Sequence, residues 1–332
     1  MSNLSHSRVL VTGGAGMIGS ALVKDLIHLG IQPYVVDNLS RGKLEYLCSI
    51  EGFDYNHFYD FDLSSPQASE FLSSLPQFSA VIHLADIVAG IGYVFGNEGS
   101  IFKNNLSINS NVSNFFATQT VPLKYIYVGT ACSYPLELQT GSDSVLTENL
   151  LFPANPESSY GWSKLIGSLE MKYLFKDRPN ISYITLMLHN VYGPNCDFNP
   201  RTSQVIPSLI YRVATLQMSS PLKVWGTGQQ SRAFVHVSDV SQAILLTLGY
   251  SKTLPEYIQI GPDHPTTISD LSSMIISVSG KDTCIEYDIS KPVGDFGRSC
   301  DSSLAKSVLG WSPNISIRDG LTDLYNWIST RI

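Results

Sequence analysis

Tyr160 and Lys164 stand four residues apart in the run NPESSYGWSK at 155–164. On a helix that spacing puts a phenol and an ammonium on one face. A neighbouring cation favours the tyrosinate and draws a phenol with an ordinary pKa of ~10 toward working pH. Such a pair can take the proton of an alcohol while a nicotinamide takes the hydride. The plainer alternative is a chance pairing on a helix surface. A second reactive group, Thr130, Cys132 and Ser133, follows the apolar run Tyr125-Ile126-Tyr127-Val128. Cys132 reads either as a small buried hydrophobe or as an acid–base group.

These residues need elements to hold them in place. Pro156 and Ser158 or Ser159 suit the start of the helix that carries Tyr160. Near the N-terminus, RVLVTGGAGMIGS spans residues 8–20 and reads as strand, glycine turn and helix. Gly13 suits the tight turn, Gly16 close approach of a diphosphate, and Gly19 close packing of helix on strand. The positive end of that helix would face the diphosphate. Asp37 ends the next apolar run, 18 residues after Gly19. A carboxylate there accepts from the adenosine ribose hydroxyls and repels a 2′-phosphate, which favours NAD over NADP. Arg41 leaves the 2′-phosphate open, and Asp37 as a turn or cap residue is the plain alternative.

Strand-like runs at 8–12, 33–37, 54–59, 80–84 and 124–130 alternate with amphipathic stretches. That alternation predicts an α/β fold, a doubly wound parallel (Rossmann) sheet. A sixth strand is expected over Ile181–Leu188 and a helix near 204–216. Strand ends face the ligand crevice in this architecture, so Ala85, at the exit of Val81-Ile82-His83-Leu84, should lie beside the cofactor. Gly90 and Gly92 let backbone approach either a sugar or another loop. Asp62 and Leu63 read either as adenine contacts or as an ordinary strand exit. Arg232 and Arg298 can clamp a diphosphate through their fork geometry, or can make unrelated salt bridges.

The 332 residues are 43% hydrophobic, enough for one large α/β unit or two joined domains. The net charge of −7, without a basic run, argues against nucleic acid as a partner. No apolar stretch reaches the ~18 residues of a membrane span, and MSNLSHSR has no hydrophobic signal core. The five cysteines are scattered without metal spacing, which reads as a reduced, cytoplasmic compartment. His6, His28, His57, His236 and His264 show no metal spacing either, and no metal is expected.

GGAGMIGS, Asp62-Leu63, HLA, YGWSK, HNVYGP, SRAFVHVSD and LGWSPNISIRDGL together resemble the extended short-chain dehydrogenase/reductase family, in its nucleotide-sugar epimerase and dehydratase branch. The resemblance covers nearly the whole chain. It implies NAD as cofactor and a homodimer. It implies an NAD-binding domain over 1–188, joined by a helix near 238–250, and a smaller C-terminal α/β nucleotide-sugar domain over 189–332. It assigns cofactor contacts to Gly13, Gly16, Met17, Ile18, Asp37 and Asn38. It adds Asp62, Leu63, Leu84 and Ala85, with Tyr160 and Lys164. Substrate contacts fall on Gly90, Asn190, Gln204, Val205, Arg232 and Arg298.

Within that branch GTACSYP is similar to SSACIYP of GDP-mannose 3,5-epimerases and GSSCIYP of GDP-fucose synthases. Both use the cysteine matching Cys132 as an acid/base. A sugar carried on GDP, oxidised transiently at C4 by NAD with Tyr160, Lys164 and Thr130 assisting, is then expected to exchange protons at Cys132. A dehydratase would carry Asp-Glu where this chain has Ala131-Cys132. The second acid/base of both groups aligns with Gln204, which exchanges no proton, so one centre alone or a substitute such as His189 is expected. The alternative enzyme is a 4-dehydrogenase or 4-ketoreductase in which Cys132 is structural. A cofactor-bound scaffold without turnover is the non-enzymatic alternative.

Overall fold

Runs of four to eight residues rich in Val, Ile and Tyr pair as strands, because branched and aromatic side chains pack well on a pleated surface. The computed structural model describes residues 8–217, 220–291 and 296–332, with 142 and 143 by backbone alone. His6 lies outside the described residues. Seven strands form the main sheet: β1 (Val9–Thr12), β2 (Tyr34–Asp37), β3 (Phe58–Asp60), β4 (Ala80–His83), β5 (Leu123–Thr130), β6 (Ile181–Leu188) and β7 (Tyr257–Ile260). Their order is β3-β2-β1-β4-β5-β6-β7, and every pairing is parallel. The order reverses between β1 and β4, which opens a crevice at the strand C-termini.

The third strand starts later than the run at 54–59 suggests. Asp54 accepts from the Asn56 N–H at 3.0 Å and so caps a helical turn over Tyr55–His57. The ladder begins only at Phe58.

Alternate residues of the central strands feed two buried layers, as a sheet covered on both faces requires. Val9 and Val11 pack with Leu22, Leu26, Val240 and Ile244 on one face. Leu10 and Val81 pack with Val112, Phe116, Tyr125 and Phe175 on the other. The helices supplying these layers are α1 (Met17–His28), α2 (Glu98–Ala117), α3 (Ser159–Phe175) and α5 (Val237–Gly249); α4 (Val205–Thr215) lies outside them. In α3 it is Ser158 that caps, accepting from the Gly161 N–H at 3.3 Å.

Beyond β6, Ile206, Leu209 and Ile210 of α4 build a separate core with Leu271, Leu321 and Leu324. A four-stranded sheet there takes Thr266–Thr267, Ser231–Arg232, Gly297–Cys300 and Thr140–Leu146. The chain therefore crosses position 188 in both directions: residues 140–146 enter the smaller sheet, while β7 and α5 join the larger unit. Ser241 of α5 donates to Asp25 of α1 at 2.6 Å. No helix among the described residues is long and apolar enough to cross a membrane.

Candidate active site

A cleft of about 920 Å³ lies over the C-terminal ends of β1, β2, β4, β5 and β6 and is closed on its far side by α4. Its size is that of a site for small molecules or cofactors.

One end is built by the glycine turn. Gly13 has φ +69°, and a side chain there would meet the Ala85 backbone nitrogen at 2.9 Å. Only glycine lets the turn lie against the exit of β4. Gly16 caps α1 without a side-chain partner, so the first-turn N–H groups face the cleft, with Met17 and Ile18 beside them. Asp37 accepts from the Ala15 N–H at 2.9 Å and the Leu39 N–H at 2.8 Å, and burial raises its pKa. Each of its oxygens keeps lone pairs for a ribose. Asn38 lines the same end. Arg41, the candidate for a 2′-phosphate, is held by Asp197 at 2.9 Å, and Thr202 donates to the same carboxylate at 2.6 Å.

Asp62 accepts from the Ser64 N–H and hydroxyl, both at 2.8 Å, and so fixes the turn that carries Leu63 to the cleft wall. The N–H groups of Leu84 and Ala85 donate to Thr12 Oγ1 at 3.2 Å each. Thr12 in turn meets His83 Nδ1 at 2.7 Å, and His83 Nε2 meets Asn109 at 3.0 Å. Burial, then the Lys164 charge, lowers the His83 pKa to about 3, so the ring is a neutral strut beneath the cofactor end. Sequence reading missed Thr12 and His83, because both look like ordinary strand residues.

At the other end, β5 runs into the short turn Ala131–Ser133, where Thr130 Oγ1 accepts from the Cys132 N–H at 3.2 Å. A side chain at Gly161 would stand 2.2 Å from the Cys132 carbonyl oxygen, so glycine there lets α3 lie directly against this turn. Ser133 closes the contact by donating to the Gly161 carbonyl at 3.0 Å. Thr130, Cys132, Tyr160 and Lys164 all line the cleft.

The electrostatics differ from those read off the Tyr160–Lys164 spacing. Lys164 Nζ pairs with the Asp86 carboxylate, donates to the Val128 carbonyl at 2.7 Å, and lies 5.0 Å from the Tyr127 ring centre. Burial raises the Tyr160 pKa, with Cys132 and Asp86 adding to the effect; Thr130 and Arg298 oppose it. The ammonium is thus spent on a carboxylate that lies 78 residues away in sequence.

Arg298 is 3% exposed. Its guanidinium donates to Cys132 Sγ at 3.3 Å and to Gln139 Oε1 at 2.5 Å. Arg232 lines the cleft and donates to the Ser231 carbonyl at 2.8 Å. His189 and Asn190 reach the cleft from the end of β6. His189 Nε2 is bonded to Gln259 at 2.9 Å, and burial lowers its pKa to about 4. Gln204 and Val205 start α4 on the opposite wall. The Gly90 N–H donates to the Thr202 carbonyl at 2.9 Å, so this loop approaches another loop, and Gly90 also lines the cleft.

The sequence pattern of the NAD dependent epimerase/dehydratase family matches residues 9–261. This chain belongs to that family. Among its relatives, probable GDP-L-fucose synthase 1 of Oryza sativa subsp. japonica is 28% identical, across 96% of this chain and 91% of the relative. GDP-mannose 3,5-epimerase of Arabidopsis thaliana is 27% identical, across 98% and 83%. The solved UDP-glucuronic acid 4-epimerase of Bacillus cereus, in complex with UDP-glucuronic acid and NAD, is 26% identical with a TM-score of 0.83. It covers 98% of this chain and 100% of that one. NAD is the cofactor of the family member described here. The turn at Gly13, the uncapped start of α1 and the carboxylate of Asp37 fit it, and Arg41 is engaged by Asp197.

Proposed function

We propose that this enzyme is an epimerase of a nucleoside-diphosphate sugar, GDP-linked and similar in reaction to the GDP-mannose 3,5-epimerases, working through a transient 4-keto sugar. What carries the reading is the contact of Arg298 with Cys132 Sγ at 3.3 Å, in the turn that also holds Thr130. A cleft-lining thiol beside a hydride-transfer centre has little purpose in simple oxidation or reduction.

Bound NAD supplies the hydride sink and source, so turnover makes no net redox change. Tyr160 takes the C4 hydroxyl proton, and Thr130 bonds the same oxygen. The resulting ketone acidifies the C–H bonds at C3 and C5, and Cys132 moves a proton at one of them. Gly13, Gly16, Met17, Ile18, Asp37, Asn38, Asp62, Leu63, Leu84 and Ala85 hold the dinucleotide, with Lys164 at its nicotinamide end. Gly90, Asn190, Gln204, Val205, Arg232 and Arg298 face the sugar nucleotide. The GDP preference is supported by the names of the curated relatives. A homodimer through α2 and α3 is part of the proposal, as is a cytoplasmic location, consistent with five cysteines that form no disulfide.

Incubation with GDP-mannose and related GDP-sugars in deuterated water is the test. Deuterium at C3 or C5 of recovered sugar is expected. Turnover with neither position labelled overturns epimerisation. A net change in nicotinamide absorbance would instead favour a 4-ketoreductase or 4-dehydrogenase. That second reading draws on Gln204, a cleft-lining amide that exchanges no proton.

A further inference from the structure

Asp86 follows the fourth strand in HLAD, and nothing in its sequence setting marks it for chemistry. Its side chain is 0% exposed, and its partner Lys164 is 3% exposed. One carboxylate oxygen, Oδ2, takes the ammonium; the other, Oδ1, is buried and has no hydrogen-bond partner. Asp86 nonetheless belongs to the lining of the cleft, as do Ala85 and Tyr160. A buried acid with an idle oxygen is costly to keep, and here it occupies the spot where it cancels the active-site cation.

We propose that Asp86 is a positioning residue that clamps Lys164, neutralises its charge and thereby sets the pH at which Tyr160 acts as a base. This rests on the reading of Tyr160 as the proton acceptor. The groups that face the cluster support it. From β5, Tyr125 and Tyr127 face Asp86, and burial raises both, so they stay protonated. From β4, His83 faces Lys164 and is neutral. Cys132 and Arg298 also act on Tyr160, with opposite signs. Asp86 is therefore the buried anion shared by both members of the Tyr160–Lys164 pair. It adds directly to the rise at Tyr160 and also removes the ammonium that would counter it. An opposite charge freed close by lowers a pKa by about one to three units.

The test compares the full chain with Asp86→Asn and Asp86→Ala, each alone and combined with Tyr160→Phe. The phenolate absorbance that Tyr160→Phe removes is followed against pH without substrate. In both neutral variants that step should lie at least about one pH unit below the parent's, or appear within the scan where the parent shows none. Asp86→Glu should return it toward the parent. The acid limb of the holoenzyme's kcat profile should move down by a similar amount. An unmoved phenolate step in both variants, with only lower thermal stability, overturns the proposal and leaves Asp86 as an anchor for Lys164. Because the titration needs no sugar, failure to find epimerase activity would leave this result standing or falling by itself.

Discussion

His83 shows how a residue can matter without touching a substrate. It stands between Thr12 and Asn109, fully enclosed, with its pKa lowered to about 3. An unfolded chain takes up protons near the ordinary imidazole value of 6.5, but the folded chain refuses them. In the window from 6.5 down to about 3 the unfolded state binds more protons, so stability falls as pH falls through it. His83→Gln should flatten this slope. Urea midpoints measured for both proteins from pH 7 to pH 4 check it; parallel curves would show that His83 does not contribute. His189, lowered to about 4, acts in the same sense in both proteins and cancels in the comparison.

At the scale of elements, the site depends on how closely α3 approaches the end of β5. The Ser158 cap starts the helix at the right residue, and Gly161 allows the contact with the Cys132 carbonyl. Gly161→Ala puts a methyl carbon at 2.2 Å from that oxygen, so the helix must move away. Such overpacking costs about 1–3 kcal/mol. The variant is expected to melt at lower temperature and to lose kcat more than ~10-fold, because Tyr160 and Cys132 separate. Calorimetry and steady-state kinetics measure the two effects; unchanged kcat would mean that the register of α3 on the turn is not critical. The same scale explains the far end of a motif whose Arg232 lines the cleft. In SRAFVHVSD, Asp239 accepts from the Asn314 N–H at 2.9 Å and the Ile315 N–H at 3.1 Å. Its carbonyl accepts from Trp311 at 2.9 Å. The motif fastens the C-terminal LGWSPN segment to α5.

For the whole molecule, the two parts read along the chain are interleaved. β7 completes the main sheet from residues 257–260, and α5 covers one face of it. A fragment of residues 1–188 should therefore show no cooperative thermal transition, because β6 becomes an exposed edge and Val9, Val11 and Leu22 lose their cover. Differential scanning calorimetry of the fragment decides this; a sharp endotherm would show that the first part folds alone. The interleaving also serves the cleft. Arg41 reaches Asp197, and Gly90 reaches Thr202, so the loops after β2 and β4 are tied to the segment before α4.

Local patterns carried the fold and one half of the site. Glycine spacing, β-branched runs and the Tyr160–Lys164 interval are short-range features, and chain geometry alone turns them into a turn, strands and one helix face. The third strand was misplaced because Asp54 captures a backbone N–H before the ladder starts. Partnerships across the cleft were not legible. Asp86 meets Lys164 at a separation of 78 residues, and Cys132 meets Arg298 at 166. No periodicity links such pairs: packing of α3 against the end of β5 brings Lys164 to Asp86, and the smaller sheet brings Arg298 to the Cys132 turn. Sequence by itself determined a glycine turn over 13–19 of the kind that suits a dinucleotide, and a helix with a tyrosine and a lysine on one face. Tertiary structure alone decided what charge those two residues feel, because burial and unseen neighbours, not spacing, set the energy of a proton.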